Sequence, residues 1–170
     1  MAPAVTERVA VVMGVSGAGK TAVGEALAQR LGWRFLDADD LHSEAARAKM
    51  ARGDGLTDAD RAPWLARVRA ALVPYLGGGG PGLVVACSAL KASYRDALAR
   101  PDEPVRFLWL DVPAEVLRAR LAAREGHFAD ASLLPSQLAA LEPPGGPQTV
   151  RLDGARPLQE VVAAAAEALR

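Results

Sequence analysis

Val9-Ala-Val-Val-Met-Gly-Val-Ser-Gly-Ala-Gly-Lys-Thr21 decides the fold of this 170-residue chain. Its first five residues are apolar without polar alternation, the pattern of a strand buried on both faces. From Gly14 to Thr21 the chain matches Gly-x-x-x-x-Gly-Lys-Thr at every fixed position. Thr21 to Leu31 then predicts a helix, with Val23, Ala26, Leu27 and Arg30 at helical spacing and Gly32 as its stop. Strand, glycine turn and helix in that order make a phosphate cradle. The glycines let successive N–H groups turn toward one anion, and the helix presents its positive end to the same anion. Lys20 is a point charge for the outer phosphates of a nucleoside triphosphate, and the Thr21 hydroxyl is a ligand for Mg²⁺. Gly14, Ser16, Gly17, Ala18, Gly19, Lys20 and Thr21 are therefore the predicted nucleotide contacts.

Outward from this stretch, strands and helices alternate. The predicted strands are Val9–Met13, Trp33–Leu36, Leu83–Cys87, Val105–Leu110 and Gln148–Leu152. One helix is predicted from a Ser43 cap to Arg52, and another from Thr57 or Asp58 to Leu76, its start offset by Pro63. A Ser88 cap predicts a helix from Ala89 to Arg100, Asp111-Val-Pro113 starts one to Glu125, and Leu158 to Leu169 is the last. Gly77 to Gly82 reads as a flexible connector. Gly126 to Pro147 reads as irregular, apart from a short helix near Pro135 to Leu141. This alternation predicts an α/β fold of three layers, α/β/α, with a parallel sheet covered on both faces. With no repeat or linker, a single domain over residues 1–170 is expected.

Composition narrows the function classes. Twenty basic and twenty acidic residues cancel, which argues against non-specific nucleic-acid binding and a polybasic membrane tether. One cysteine allows no intrachain disulfide and no cysteine-based metal knot. No apolar run approaches the roughly 18 residues of a bilayer span. The stretch from Met1 to Ala10 lacks the features of a signal peptide, so a cytoplasmic protein is expected. The chain has no Asn, hence no Asn-Lys-x-Asp guanine-specificity motif, and an ATP-using phosphotransferase leads over a GTPase. Its 17 Arg against three Lys mark a composition bias. Under that bias Lys20, Lys49 and Lys91 stand where arginine serves less well.

Asp37 and Asp39 end the second predicted strand, at the sheet edge where such folds bind ligands. One acid there can hold Mg²⁺ through water, and another can take the proton of an attacking hydroxyl. The third strand ends in Cys87-Ser88 without an acid, which strengthens the metal role of Asp37. Asp40 reads as a capping or solvated carboxylate. Ser88 and the start of its helix offer N–H donors. Lys91 and Arg95, four apart, share a helix face, as do Arg120 and Arg124 after the fourth strand.

Together with the phosphate loop, a set of dispersed blocks carries a family likeness. They are Phe35-Leu-Asp-Ala-Asp39, Leu41-His42, Lys49-Met-Ala51, Asp58-Ala-Asp-Arg61, Pro63-Trp-Leu65, Cys87-Ser-Ala-Leu-Lys91, Tyr94-Arg-Asp96 and Arg124-Glu-Gly-His-Phe128. This set resembles the bacterial-type gluconokinases, small P-loop ATP:D-gluconate 6-phosphotransferases, from about Val9 to the last helix. The resemblance implies a nucleoside-monophosphate-kinase-like fold with a five-stranded parallel sheet in the order 2-3-1-4-5. A substrate-covering segment near 40–65 and a lid near 120–145 go with it. It implies ATP and Mg²⁺ as cofactors, D-gluconate as acceptor and a homodimer.

Lys20, Asp39, Arg120 and Arg124 are then the catalytic set, Asp39 as base and the two arginines at the transferring phosphoryl group. Thr21 and Asp37 are the metal ligands. Asp39, His42, Lys49, Arg61, Ser88, Lys91, Tyr94, Arg95 and His127 are the substrate contacts. Arg120 and Arg156 add to the nucleotide site. On the residues alone, His42 is equally a sugar contact or a helix cap, Trp64 is core and Asp60 is a solvated helix-end charge. A kinase of another small acid, such as shikimate or a different aldonate, and a non-catalytic nucleotide-binding regulator stand beside the leading reading.

Overall fold

In the computed structural model, which describes residues 7–124 and 128–170, strand β1 (Val9–Met13) is buried at every residue. It forms the centre of the sheet. β3 (Leu83–Ala86) pairs with it on one side and β4 (Val105–Asp111) on the other. β2 (Arg34–Asp37) lies outside β3, and β5 (Thr149–Asp153) outside β4. All pairings are parallel and the order is β2-β3-β1-β4-β5, as the resemblance implied. Neighbouring strands leave β1 in opposite directions, so the crevice at its carboxyl end is the switch point where such sheets bind ligands. The register carries Asp37 level with Ala86, and Met13 level with Trp109. The ends of β1, β2 and β3 thus face one edge.

Seven α-helices complete the fold among the described residues: α1 (Lys20–Leu31), α2 (Glu44–Ala51), α3 (Asp58–Leu72), α4 (Ala92–Leu98), α5 (Ala114–Ala122), α6 (Phe128–Ala140) and α7 (Leu158–Ala168). α1 packs on α7, and α3 on α4. Thr57 and Asp60 form a reciprocal capping box at the start of α3. This fixes the first turn so firmly that Pro63 sits inside the helix without displacing its start. Trp64 on α3 is 2% exposed and donates its indole N–H to the Ala38 carbonyl at 2.6 Å. Burying side chains of this size contributes about 1.5–3 kcal/mol each.

Three segments differ from the sequence reading. Ser88 does not cap a helix. Ala89 has φ of 46°, and α4 starts only at Ala92. The Ser88 carbonyl accepts Gly14 N–H at 3.3 Å and that of Leu90 accepts Glu142 N–H at 2.8 Å. Arg95 holds the Ala89 and Leu90 carbonyls at 2.7 and 3.1 Å. Tertiary partners have taken the carbonyls that a first helical turn would use. Second, α6 has 13 residues and starts earlier than the short helix expected near Pro135 to Leu141, and Leu133 and Leu134 are buried in it. Third, the Gly77–Gly82 connector is anchored. The Arg8 guanidinium gathers the carbonyls of Gly79, Gly80 and Pro81 at 3.2, 2.9 and 3.2 Å.

Candidate active site

The phosphate loop leaves β1 at Gly14 and enters α1 at Lys20. Gly17 has φ of 86°, and a Cβ there would also press on Leu121 at 3.2 Å. Only glycine takes that conformation at low cost. Gly19 is the N-cap of α1 and makes no side-chain cap, which leaves the first-turn amides to an anion. Lys20 Nζ donates to the Val15 carbonyl at 3.1 Å. On the β4–β5 side the loop borders a cleft of about 380 Å³, lined by Gly17, Ala18, Arg120, Arg124, Gly154 and Arg156 among others. Arg120 spans its floor, donating to the carbonyls of Gly17, Ala18 and Gly154 at 3.1, 3.4 and 2.8 Å. Arg156 pairs with Asp153 at 3.5 Å.

On the other side, β2 delivers two carboxylates. Thr21 Oγ1 donates to Asp37 Oδ2 at 3.1 Å, and Asp37 Oδ1 accepts the Asp39 N–H at 3.0 Å. Asp37 thereby caps the 3₁₀ turn Ala38–Leu41. The turn sets the exposed Asp39 carboxylate 3.8 Å from His42 Nε2.

A second cleft runs from this edge to α3 and α6. Its inner part is lined by Ser16, Lys20, Asp39, His42, Arg61, Ser88 and Gln137 among others. Leu56, Asp58, Arg61, Lys91 and Gln137 are among the residues lining its outer part. Asp58 accepts the Tyr94 hydroxyl at 2.5 Å and Lys91 Nζ at 3.2 Å. The Tyr94 bond, then that of Lys91, holds the Asp58 carboxyl below the usual carboxylate range. Burial, then the Asp58 bond, pushes the Tyr94 hydroxyl up. Arg61 Nη1 donates to the Leu56 carbonyl at 2.7 Å and to Tyr94 Oη at 3.2 Å. His42 stacks on Trp64, ring centres 4.2 Å apart and planes 14° apart. Burial lowers its pKa to about 4, helped by Arg61, Arg47 and Arg67, so it is neutral at pH 7. Its Nδ1 is buried with no hydrogen-bond partner among the described residues.

A family profile described as an AAA domain matches residues 9–144. A gluconokinase of Gluconobacter oxydans (strain 621H) is 53% identical over 143 residues, 84% of this chain and 80% of that protein. The chain belongs to the gluconokinase family. Among solved structures, a gluconokinase from Sinorhizobium meliloti 1021 aligns with a TM-score of 0.83 at 43% identity, over 96% of this chain and 92% of that one. A sugar kinase from Janibacter sp. HTCC2649 aligns with a TM-score of 0.87, also at 43% identity, over 96% and 94% of the two chains.

Of the residues singled out by the gluconokinase resemblance, the acceptor-side cleft gathers Lys20, Asp39, His42, Arg61, Ser88 and Lys91. Tyr94 stands behind them through Arg61 and Asp58. Two expected contacts are placed elsewhere. Lys49 pairs with Asp60 at 2.7 Å, and this bond, with those from Thr57, brings the Asp60 carboxyl down to about 2. Asp60 is therefore a capping and pairing group rather than a solvated charge. Arg95 is buried, 9% exposed, and grips the carbonyls of Ala89, Leu90 and Glu142. It fastens the β3–α4 segment and faces away from the acceptor-side cleft. Arg120 braces the loop carbonyls of Gly17 and Ala18 and that of Gly154. His127 lies outside the described residues.

Two residues of α6 and its exit gained no clear role from the sequence. Gln137 Oε1 accepts the Ser16 N–H at 2.7 Å. Glu142 Oε1 accepts the Ala92 N–H at 2.7 Å. A signal for Gln137 was available. It falls four residues after Leu133 and four before Leu141, a polar residue in an apolar helical stripe.

Proposed function

We propose that this chain is an ATP-dependent gluconokinase that moves the γ-phosphoryl group of ATP to the 6-hydroxyl of D-gluconate. The observation that carries this reading is the cleft that joins Lys20 and the loop to Asp39 at one end and to Arg61, Lys91 and Asp58 at the other. Gluconate has the matching polarity: a reacting primary alcohol at one end, a carboxylate at the other and hydroxyls between. Arg61 and Lys91 are the cations for the carboxylate. Asp58, Ser88 and neutral His42 are partners for hydroxyls.

Loop amides and Lys20 hold the β- and γ-phosphates. Thr21 and Asp37 fit Mg²⁺, since they bring two hard oxygen donors together at 3.1 Å and such sites draw their remaining ligands from phosphate and water. Bound there, the ion would neutralise charge shared by the β- and γ-phosphates. Asp39 orients the 6-hydroxyl and takes its proton. The hydroxyl oxygen bonds to the γ-phosphorus, the bond from that phosphorus to the β–γ bridging oxygen breaks, and ADP leaves. Arg124, lining the nucleotide cleft just before the undescribed residues 125–127, is the lid arginine that meets the transferring group. Arg120 and Arg156 frame the nucleoside end. Closure of the 120–145 lid and the 40–65 segment over one domain excludes water, which otherwise competes as acceptor. No helix among the described residues is long and apolar enough to cross a membrane. A cytoplasmic homodimer accompanies this reading, and light scattering during chromatography reads the dimer.

The test is ADP release from Mg-ATP with D-gluconate, other aldonates, shikimate and nucleoside monophosphates as acceptors. Release that depends on gluconate is expected. Dependence on another acceptor alone would keep the nucleotide site and remove the gluconate assignment. Nucleotide binding with no acceptor-dependent release would favour a regulator.

A further inference from the structure

Gln137 ties α6 to the phosphate loop through a contact that the phosphate-loop motif does not contain. Its side-chain oxygen accepts the Ser16 N–H at 2.7 Å, and both residues line the inner part of the acceptor-side cleft beside Lys20 and Asp39. Ser16 is a loop residue between the two glycines that frame the motif. Its amide, next to the Lys20 ammonium, is a donor suited to an oxygen of the transferring phosphoryl group. The amide oxygen of Gln137 therefore stands where a phosphoryl oxygen belongs.

α6 is held in place around this contact. Leu133 and Leu134 are buried at 7% and 3% exposure. Beyond its end, Glu142 bonds Leu90 through its N–H, Ala92 through its carboxylate and Arg95 through its carbonyl. In this position of the lid helix, the terminal amide of Gln137 is the part of the contact that can turn. A glutamine carries an acceptor oxygen and a donor NH₂ on one carbon. Rotation about that terminal bond exchanges one for the other.

We propose that Gln137 is a positioning residue that senses the γ-phosphate and couples its arrival to acceptor binding. This rests on the kinase reading of the loop, and on gluconate only for the turnover part of the test. Without a γ-phosphate, Gln137 Oε1 keeps the Ser16 N–H occupied. When a phosphoryl oxygen takes that N–H, the Gln137 oxygen is displaced by its own partial negative charge, and the NH₂ turns to donate to the phosphoryl oxygen. The residue then bridges the transferring group and α6, which walls the acceptor pocket. ADP has no such oxygen to offer and leaves the resting contact intact. The bridge thus favours acceptor binding with ATP over acceptor binding with ADP.

Gln137→Glu separates this from a merely structural contact. Its carboxylate can still accept the Ser16 N–H but cannot donate, and it repels the γ-phosphate. Calorimetry with Mg-ADP and with a non-hydrolysable Mg-ATP analogue reads the effect without acceptor. The analogue should weaken by roughly tenfold or more, while ADP changes by less than about twofold. Retained ADP binding shows that the variant folds. Gln137→Ala, which removes both donor and acceptor, should raise the gluconate KM with ATP by about tenfold while the ATP KM stays nearly unchanged, and an unchanged gluconate KM would remove the coupling. Equal weakening of ADP and the analogue by the Glu variant, or no change in either, would overturn the proposal. If the analogue alone weakens but the wild type does not turn over gluconate, the sensing role stands and the gluconate assignment falls.

Discussion

The two clefts beside the phosphate loop are built differently. The nucleotide cleft takes its loop wall from backbone, the left-handed glycines and the carbonyls that Arg120 grips, with arginines and apolar side chains around it. The acceptor-side cleft is mostly side chain, assembled from Asp39, Asp58, Arg61, Lys91, Tyr94 and Gln137 on separate elements. A backbone site depends on glycine conformations and tolerates side-chain change. A side-chain site tolerates backbone variation but loses affinity with each altered partner. Substitutions on the two sides should therefore fail in different kinetic constants.

The largest effect should come from Lys20, the phosphate-loop side chain that lines the inner part of the acceptor-side cleft. Lys20→Ala removes the cation at the transferring group and should lower kcat/KM by about a thousandfold, read by coupled ADP release. Asp39→Asn comes next, with kcat reduced by about a hundredfold and the ATP KM unchanged. Near-normal turnover in that variant would leave Asp39 with orientation only. Arg61→Ala should confine its effect to the acceptor side, raising the gluconate KM by about tenfold while the ATP KM holds. A matching rise in the ATP KM would break the division between the clefts.

The smallest effect is a pH dependence. Unfolded His42 titrates near the ordinary histidine value of 6.5, and folded His42 at about 4. Between those values the unfolded chain binds more protons, so stability falls as pH drops from 6.5 toward 4. His42→Gln should flatten this slope, as read from urea midpoints across the same window. An unchanged slope would place the titrating group elsewhere.

The nucleotide side was the more legible because its function is local. One run from Val9 to Thr21 contains the strand, the glycines, the lysine and the helix start. The spacing of its glycines reports backbone angles directly. On the acceptor side the residue types were legible but their partners were not. Tyr94 and Asp58 are 36 residues apart, and Ser16 and Gln137 are 121 apart. Nothing in a local pattern pairs Lys49 with Asp60, or turns Arg95 inward onto three carbonyls. The predicted Ser88 cap failed for the same reason. Local propensity favoured a helix at Ala89, and contacts with Gly14, Arg95 and Glu142 overrode it. Strand order is also non-local, and it came from the family likeness rather than from periodicity.

The central claim is that the acceptor-side cleft presents the primary alcohol of D-gluconate to the phosphate loop. Proton-coupled phosphorus NMR of the product from Mg-ATP and gluconate tests it most directly. The account predicts a phosphate ester coupled to the two protons of the C6 methylene, formed in step with ADP. A phosphate coupled to a methine proton, or free inorganic phosphate in place of an ester, would contradict it.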